Sequence, residues 1–195
     1  MIGIDKLIVE AYEMASSEQC EYTDKKKLHN ERSRKWIAAL HQQFVKQYSS
    51  ETDVRVFSKG NKDNWHEFLL NELLFDISVC QVATVPSAKH HKELTYIKKA
   101  LWQVESEFAR NSRETMKDFS KLVTGSADNK LFVGSHVSDD KAFMDVLLPA
   151  AAVCSGTVYL ALLPHPSTWD SIAKEKPFTW KFVNGLWFPV SGAAK

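Results

Sequence analysis

Polar and apolar residues alternate along most of the segment LWQVESEFAR, residues 101 to 110. One face is apolar and the other polar, namely Trp102, Val104 and Phe108 against Gln103, Glu105 and Glu107. A period of two is typical of a β-strand with one face in the core. The two glutamates project the same way, about 7 Å apart at their Cα atoms for a rise of roughly 3.3 Å per residue. Because like charges repel and strands disfavour glutamate, a cation beside them would turn this repulsion into binding.

The same kind of pattern predicts the other elements. Helical spacing of apolar residues predicts helices over residues 3 to 17, 30 to 48, 111 to 123 and 139 to 148. Alternation or short apolar runs predict strands over residues 53 to 58, 73 to 85, 129 to 136 and 156 to 163. A short helical piece is expected over residues 65 to 73 and a polar connection over residues 86 to 98. Asn184 and Gly185 predict the turn of a hairpin over residues 178 to 190.

This order of elements predicts an α/β fold. Adjacent strands in the middle, followed by a strand–helix–strand unit, favour a central mixed sheet with helices on both faces. The length of 195 residues favours a single domain, residues 1 to 195. This domain would consist of an N-terminal helical part over residues 1 to 50, a core over residues 51 to 136, and a helix, strand and hairpin over residues 137 to 195.

Net charge gives little information about partners, since charges nearly cancel at a formal +1. Nucleic acid and acidic partners both stay open, and only local patches are informative. One basic patch lies at the front of the second helix: Lys25, Lys26, Lys27, Arg32, Arg34 and Lys35. It is either a solvated helix face or a contact for phosphates.

Cysteine usage and hydropathy indicate the compartment. Cys20, Cys80 and Cys154 are odd in number and widely spaced, which favours buried thiols over disulfides or a zinc site. The N-terminus has neither the basic start nor the continuous apolar stretch of a secretory signal. The longest apolar run, residues 143 to 163, is broken by a charge, a proline and a glycine. We therefore expect a soluble, cytoplasmic protein with no membrane association.

Asp76 is unusual because it lies inside an apolar segment predicted to be a strand. Burial of an unpaired carboxylate is costly, so Asp76 either caps a loop, meets a lysine or binds a metal. If its strand is next to that of Glu105 and Glu107, the three carboxylates meet at one point. Such hard oxygen ligands suit Mg²⁺ or Mn²⁺, which can activate water and stabilise charge on a phosphodiester.

An aspartate on one strand and an E-x-E on the next, followed at once by a helix, resembles the PD-(D/E)xK nuclease superfamily, which has the restriction-endonuclease-like fold. The resemblance covers residues 31 to 136, about half of the chain. Asp76 matches the family's metal-binding aspartate, and Glu105 matches the first acid of (D/E)xK. Phe75 replaces the proline of the motif and Glu107 replaces its lysine, although some type II restriction enzymes are similar in carrying E-x-E there.

The resemblance implies roles for these positions. It implies metal ligands at Asp76, Glu105, Glu107 and the main-chain carbonyl of Ser106, joined by Glu31 from an early helix or by Glu67 or Glu72 instead. It also implies that the missing lysine is supplied by the following helix, as Lys117 or Lys121, to stabilise the phosphate in the transition state. Glu107 would orient or deprotonate the attacking water, or hold a second ion.

The expected activity is hydrolysis of phosphodiester bonds in DNA, less readily RNA, with Mg²⁺ or Mn²⁺ as cofactor. Arg110, Arg113 and the basic patch would grip the backbone, and a homodimer is ordinary for an enzyme that cuts both strands. The lost lysine is also compatible with a catalytically inactive nuclease-fold module that binds nucleic acid or a protein partner. The hairpin at residues 178 to 190 would then be its contact surface, although a buried edge of the sheet is the simpler and favoured interpretation of this hairpin. A glycosidase pair is a further alternative for two glutamates, but nothing else indicates sugar binding.

Overall fold

The protein is described from a computed structural model, which describes residues 2 to 89, 91 to 170 and 176 to 190. Its helices are α1 (Ile4–Ser17), α2 (Lys25–Gln47), α3 (Trp65–Phe68), α4 (Ser112–Thr124) and α5 (Asp140–Val153), with a short 3-10 helix at Pro166–Thr168. Its strands are β1 (Val54–Ser58), β2 (Ile77–Ser87), β3 (Lys92–Glu107), β4 (Asn129–Ser135), β5 (Thr157–Leu163), β6 (Phe178–Val183) and β7 (Leu186–Pro189).

The seven strands form one mixed sheet in the sequential order β1 to β7. β1, β2 and β3 are antiparallel neighbours, β3, β4 and β5 are parallel, and β6 and β7 complete the sheet as an antiparallel pair. The two parallel pairs are joined by α4 and α5, because parallel strands need a long crossover connection. The predicted α/β class, the mixed sheet and the C-terminal hairpin are confirmed.

Helices cover both faces of the sheet, as expected. On one face, α1 and α2 pack on the strands around Trp36 and Phe44, which are fully buried. On the other face, α4 and α5 pack around Phe119, Phe132 and Leu147, which are equally buried. The strands in the middle of the sheet therefore have a hydrophobic core on each side.

The segment that alternates most clearly is the C-terminal part of β3, and its polar face is not open to solvent. Gln103 and Glu105 are only 8% and 1% exposed, because α4 packs over them. The Gln103 side-chain oxygen accepts the N–H of Ala127 at 3.2 Å. The alternation predicts one face in the core, and the structure shows that the polar face is covered as well, since a central strand in a three-layer fold is covered on both sides.

The polar connection expected over residues 86 to 98 was also wrong. β2 and β3 pair continuously, with irregularities, from Ile77 opposite Val104 to Ser87 opposite Lys92. Charged residues make this segment resemble a loop, but each strand satisfies the backbone hydrogen bonds of the other. Asp76 lies immediately before β2 rather than inside a strand over residues 73 to 85.

Two helices are longer than the apolar pattern indicates. α2 begins at Lys25, because Asp24 accepts the N–H of Lys27 at 2.8 Å and caps the helix. α5 continues through Pro149 to Val153, held on the sheet by the buried side chain of Ala151 in its last turn.

The described part of the chain contains no helix that is both long and apolar enough to cross a membrane. Cys20, Cys80 and Cys154 are all free thiols, and Cys80 is fully buried. The remaining two cysteines are half-buried.

The backbone just before β5 lies close to the backbone that precedes β4, and a substitution there tests this contact. Gly156 has a φ of +74°, and a Cβ there would lie 2.5 Å from the carbonyl oxygen of Ala127. Gly185 has a φ of +84° but open space where a Cβ would lie, which makes it a matched control. We expect Gly156→Ala to lower the free energy of unfolding by about 2 to 3 kcal/mol and Gly185→Ala by about 1 to 2 kcal/mol, measured by chemical denaturation. Equal losses would show that the contact with Ala127 does not constrain the fold.

Candidate active site

Acidic residues from separate segments converge at the edge of the sheet where β2 begins and β3 ends. Ile77 pairs with Val104, which sets the preceding Asp76 beside the end of β3. Asp76 Oδ2 accepts the backbone N–H of Ser106 at 2.8 Å. Burial raises the pKa of Asp76, although this hydrogen bond opposes the shift. The structure thus brings Asp76 and Glu105 together across the antiparallel pair.

Glu105 is the most deeply buried of these acids, at 1% exposure. Burial, and secondarily the negative charge of Asp76, raise its pKa to about 8. Its Oε2 accepts a hydrogen bond from Lys121 Nζ at 3.0 Å, whereas its Oε1 has no hydrogen-bond partner among the residues described. A buried acceptor left unpaired costs about 1 to 3 kcal/mol, so this oxygen adds to the cost of burying Glu105.

α4 supplies a second acid and the cation of the site. Asn111 caps the helix by accepting the N–H of Glu114 at 2.9 Å. Helical spacing then places Asp118 and Lys121 on the face toward β3, and Lys121 Nζ lies 2.9 Å from Asp118 Oδ1. Asp118 was not identified from the sequence, although its position one turn before Lys121 was a usable signal.

Glu107 joins the group at the end of β3. Its Oε1 accepts the N–H of Ala109 at 2.6 Å. Burial is the main cause that raises its pKa, and a hydrogen bond with Asp118 adds to the shift. We call Asp76, Glu105, Glu107 and Asp118 the acidic cluster.

Of the two candidate lysines, the structure places only Lys121 against the acidic cluster. Lys117 has a side chain that is 68% exposed, and its Nζ pairs with Glu114 at 2.8 Å. A role for Lys117 in direct contact with the reacting phosphate is therefore not supported by its position.

The early glutamates differ in where they lie. Glu31 lies 3.7 Å from Arg34 on α2, and Glu67 forms an ion pair with Arg55 at 2.6 Å. Only Glu72 acts on the cluster, since its charge contributes to the raised pKa of Asp76. The choice of Glu31 as the additional ligand is not supported by these contacts.

The oxygen atoms of the acidic cluster suit a hard divalent cation. They are carboxylate oxygens, and the main-chain carbonyl of Ser106 lies between Glu105 and Glu107 in the sequence. The raised pKa values of Asp76, Glu105 and Glu107 reflect both burial and a shortage of positive charge. Across the described ranges, however, no three acidic, histidine or cysteine side chains are already arranged to hold a metal ion. Lys121 bridges Glu105 and Asp118 instead.

A cleft of about 780 Å³ opens beside the acidic cluster. Its walls and floor come from α2, the turn after β1, and the end of β3: His29, Ser33, Arg34, Ile37, Ala38, His41, Gln42, Ser58, Lys59, Gly60, Asn61, Asp76, Ser106, Glu107 and Phe108. Trp36 Nε1 donates to Ser106 Oγ at 3.0 Å, which fastens α2 beside the end of β3. Asp76 and Glu107 therefore face a space that can receive a substrate.

His41 holds the two walls of this cleft together. Its Nδ1 lies 2.9 Å from Ser58 Oγ, and its Nε2 lies 2.5 Å from the side-chain nitrogen of Asn61. Burial lowers its pKa, so the neutral imidazole can serve both contacts. No sequence pattern indicated this arrangement, because it joins a helix and a turn that come together only in the folded chain.

Comparison with known proteins finds no matching family model, no matching curated protein and no matching solved structure. The case for function is therefore made from the geometry and charges of the site.

The raised pKa of Glu105 predicts how stability depends on pH. Because its pKa rises from 4.5 to about 8 on folding, the folded state binds the extra proton, and stability falls as pH rises toward 8. Histidines whose pKa values are lowered, such as His165 with a pKa of about 4, change the stability in the opposite direction. Their effect is confined to pH values below their ordinary pKa of 6.5. Between pH 6.5 and 8 we expect a loss of about 2 kcal/mol in metal-free protein, measured by urea denaturation.

The isosteric variant Glu105→Gln isolates this effect. It removes the titrating group and keeps the side-chain volume, so its stability should change less over the same pH range and exceed that of the unsubstituted protein at pH 8. Parallel pH profiles for the two proteins would contradict the assignment of a proton to Glu105.

Proposed function

We propose that the chain is a metal-dependent, endonuclease-like protein that hydrolyses phosphodiester bonds of DNA with Mg²⁺ or Mn²⁺. The acidic cluster carries this proposal: carboxylates from three separate segments meet beside a cleft that Asp76 and Glu107 line, and Lys121 bridges Glu105 and Asp118. The pKa values of Asp76, Glu105 and Glu107 are raised. Clusters of perturbed carboxylates in a cleft are typical of catalytic sites. The mixed sheet with helices on both faces is in keeping with the resemblance to PD-(D/E)xK nucleases.

The residues of the site have separate tasks in this proposal. Asp76, Glu105, Glu107 and the Ser106 carbonyl would hold the metal, which would polarise the phosphate and lower the pKa of the attacking water. Glu107 faces the cleft with a raised pKa, so it is suited to accept a proton from that water. Lys121 keeps its charge, because hydrogen bonds to Asp118 and Glu105 outweigh the effect of burial on its pKa. Its ammonium group can then stabilise the negative charge that develops on the phosphate.

Charges around the cleft support a polyanionic substrate. Arg34 and Lys59 line the cleft and are exposed, and Arg34 has only a distant contact with Glu31. Such side chains contact phosphate oxygens without reading sequence. The three free cysteines support a reducing, cytoplasmic setting.

A second candidate is a catalytically inactive nuclease-fold module that binds nucleic acid or a protein partner. The bridge that Lys121 forms between Glu105 and Asp118 favours it, because the lysine neutralises the carboxylates that a metal would need. In that case the cleft would hold a strand without cutting it.

Removal of one acid tests the proposal directly. We expect Asp76→Asn and Glu105→Gln each to reduce Mg²⁺-dependent cleavage of DNA by about 100-fold or more, because each removes a charged ligand. Asp145→Asn, an exposed acid paired with Lys141 on α5, is the matched control and should cleave normally. Cleavage that persists in pure Asp76→Asn protein would refute the assignment.

Metal binding separates the two candidates. Because Glu105 holds a proton at pH 7, binding of Mn²⁺ should release protons, and the calorimetric enthalpy should differ between buffers with different ionisation enthalpies. The Glu105→Gln variant should release about one proton fewer per ion. Absence of Mn²⁺ binding to the unsubstituted protein would favour the inactive module.

A further inference from the structure

The shape of the cleft limits the form of nucleic acid that can reach the acidic cluster. Its α2 wall runs from residue 29 to residue 42, about 20 Å at 1.5 Å per residue. A volume of about 780 Å³ for the centre of a water-sized sphere, spread over that length, corresponds to a mean width of about 6 Å for the centre and about 9 Å between the walls. The cleft is thus a long and narrow slot rather than an open platform.

A duplex is too wide for such a slot, since its major groove alone measures about 12 Å. The carboxylates that line the cleft, Asp76 and Glu107, do not stand above the surface either, because both are half-buried. A phosphate must therefore enter the cleft to approach them. One strand with its bases unpaired can do so, whereas two paired strands cannot.

The lining suits such a strand chemically. Arg34 and Lys59 provide positive charge on two different walls, as a groove that follows a sugar–phosphate backbone requires. Ile37 and Ala38 form an apolar strip on α2, and the half-buried ring of His29 lies at one end of it. Apolar and ring surfaces of this kind can pack against unpaired bases of any sequence.

We infer that the cleft takes a single unpaired polynucleotide strand, and that an intact duplex is not its ligand. This inference rests on the proposed function, which it narrows to unpaired strands such as flaps, overhangs and loops. One strand needs one site, so the homodimer expected for a double-strand cutter is not required by this substrate.

Fluorescence anisotropy with short labelled oligonucleotides tests the inference without any need for cleavage. The probes are an unpaired DNA strand, an unpaired RNA strand of the same sequence, and the blunt DNA duplex, in Ca²⁺ and in metal-free buffer. We expect at least one unpaired strand to bind about ten-fold or more tighter than the duplex, equivalent to about 1.4 kcal/mol. The DNA and RNA probes decide which polynucleotide is preferred.

A bulky residue in the slot supplies a steric test. Ala38 is exposed on α2 and lines the cleft, so Ala38→Trp should weaken binding of the unpaired strand about ten-fold or more. Ala152→Trp is the matched control, because Ala152 is an exposed alanine on α5 that does not line the cleft. Both variants should melt at the temperature of the unsubstituted protein.

The salt dependence of strand binding tests the role of the basic side chains independently of the steric test. Replacement of both Arg34 and Lys59 by alanine should reduce the slope of log affinity against log salt by about 1.4, as expected for two lost phosphate contacts on a single strand. Alanine at both Lys89 and Lys141, two exposed lysines that do not line the cleft, should leave the slope unchanged.

The outcomes separate this inference from the proposed function. Equal or tighter binding of the duplex, no binding of any probe, or normal strand binding by a folded Ala38→Trp variant would each overturn the inference. Selective strand binding with no Mg²⁺-dependent cleavage would leave the inference standing and overturn the nuclease proposal. Cleavage of the duplex at the rate of the unpaired strand would overturn the inference and leave the nuclease proposal standing.

Discussion

Burial of one carboxylate, that of Glu105, is the constraint on which the rest of the site depends. β3 is a central strand with a core on each side, so a glutamate on its α4 face has no route to solvent. Among the residues that the structure describes, Lys121 alone pairs with this carboxylate, and the second carboxylate oxygen of Glu105 has no hydrogen-bond partner. The pKa of about 8 shows that the ion pair with Lys121 does not offset the cost of burying the Glu105 carboxylate near the negative charge of Asp76.

An acidic cluster of this kind is a poor solution for stability alone. Replacement of buried ionic groups by apolar side chains of similar size is often neutral or stabilising. Here Lys121 pairs with two of the four carboxylates, Glu105 and Asp118, and three of the four have raised pKa values, so their ionised forms are destabilised at this edge. Two of these carboxylates, Asp76 and Glu107, also line a cleft that carries Arg34 and Lys59 on its walls. Strain that is concentrated where a ligand can enter is more easily explained by binding or catalysis than by folding.

Part of this site could be predicted from the sequence, because it depends on relations between segments that are close along the chain. Alternation put Glu105 and Glu107 on one face, and consecutive antiparallel strands brought Asp76 beside them. The helix that directly follows β3 had to pack near its end, which made Lys121 a candidate. Each of these steps depends on neighbours in sequence, where periodicity and short connections restrict the geometry.

The features that were missed depend on how distant elements pack. Whether β3 has an open face is decided by the position of α4 over it, which no local pattern contains. The extension of β2 and β3 into a long hairpin depends on pairing between two charged strands, whose composition is that of a loop. His41 and Asn61 become partners only because α2 lies across the turn after β1. Whether an early helix such as that of Glu31 supplies a ligand depends on packing in the same way, and Glu31 contacts Arg34 on its own helix.

Charge balance indicates what must change when a cation enters the acidic cluster. Lys121 remains protonated, because its bonds to Asp118 and Glu105 raise its pKa, so its charge cannot be removed near neutral pH. The proton on Glu105 is held much more weakly, with a pKa of about 8. Binding of a divalent ion would therefore release the proton of Glu105, whereas Lys121 would keep its charge. Lys121 reaches the cluster from α4 with a side chain that is 39% exposed, so a metal ion bound to Glu105 Oε2 would require this side chain to rotate away. An active enzyme needs this rotation, and an inactive module does not, so the position of one lysine separates the two functions more directly than the number of acids does.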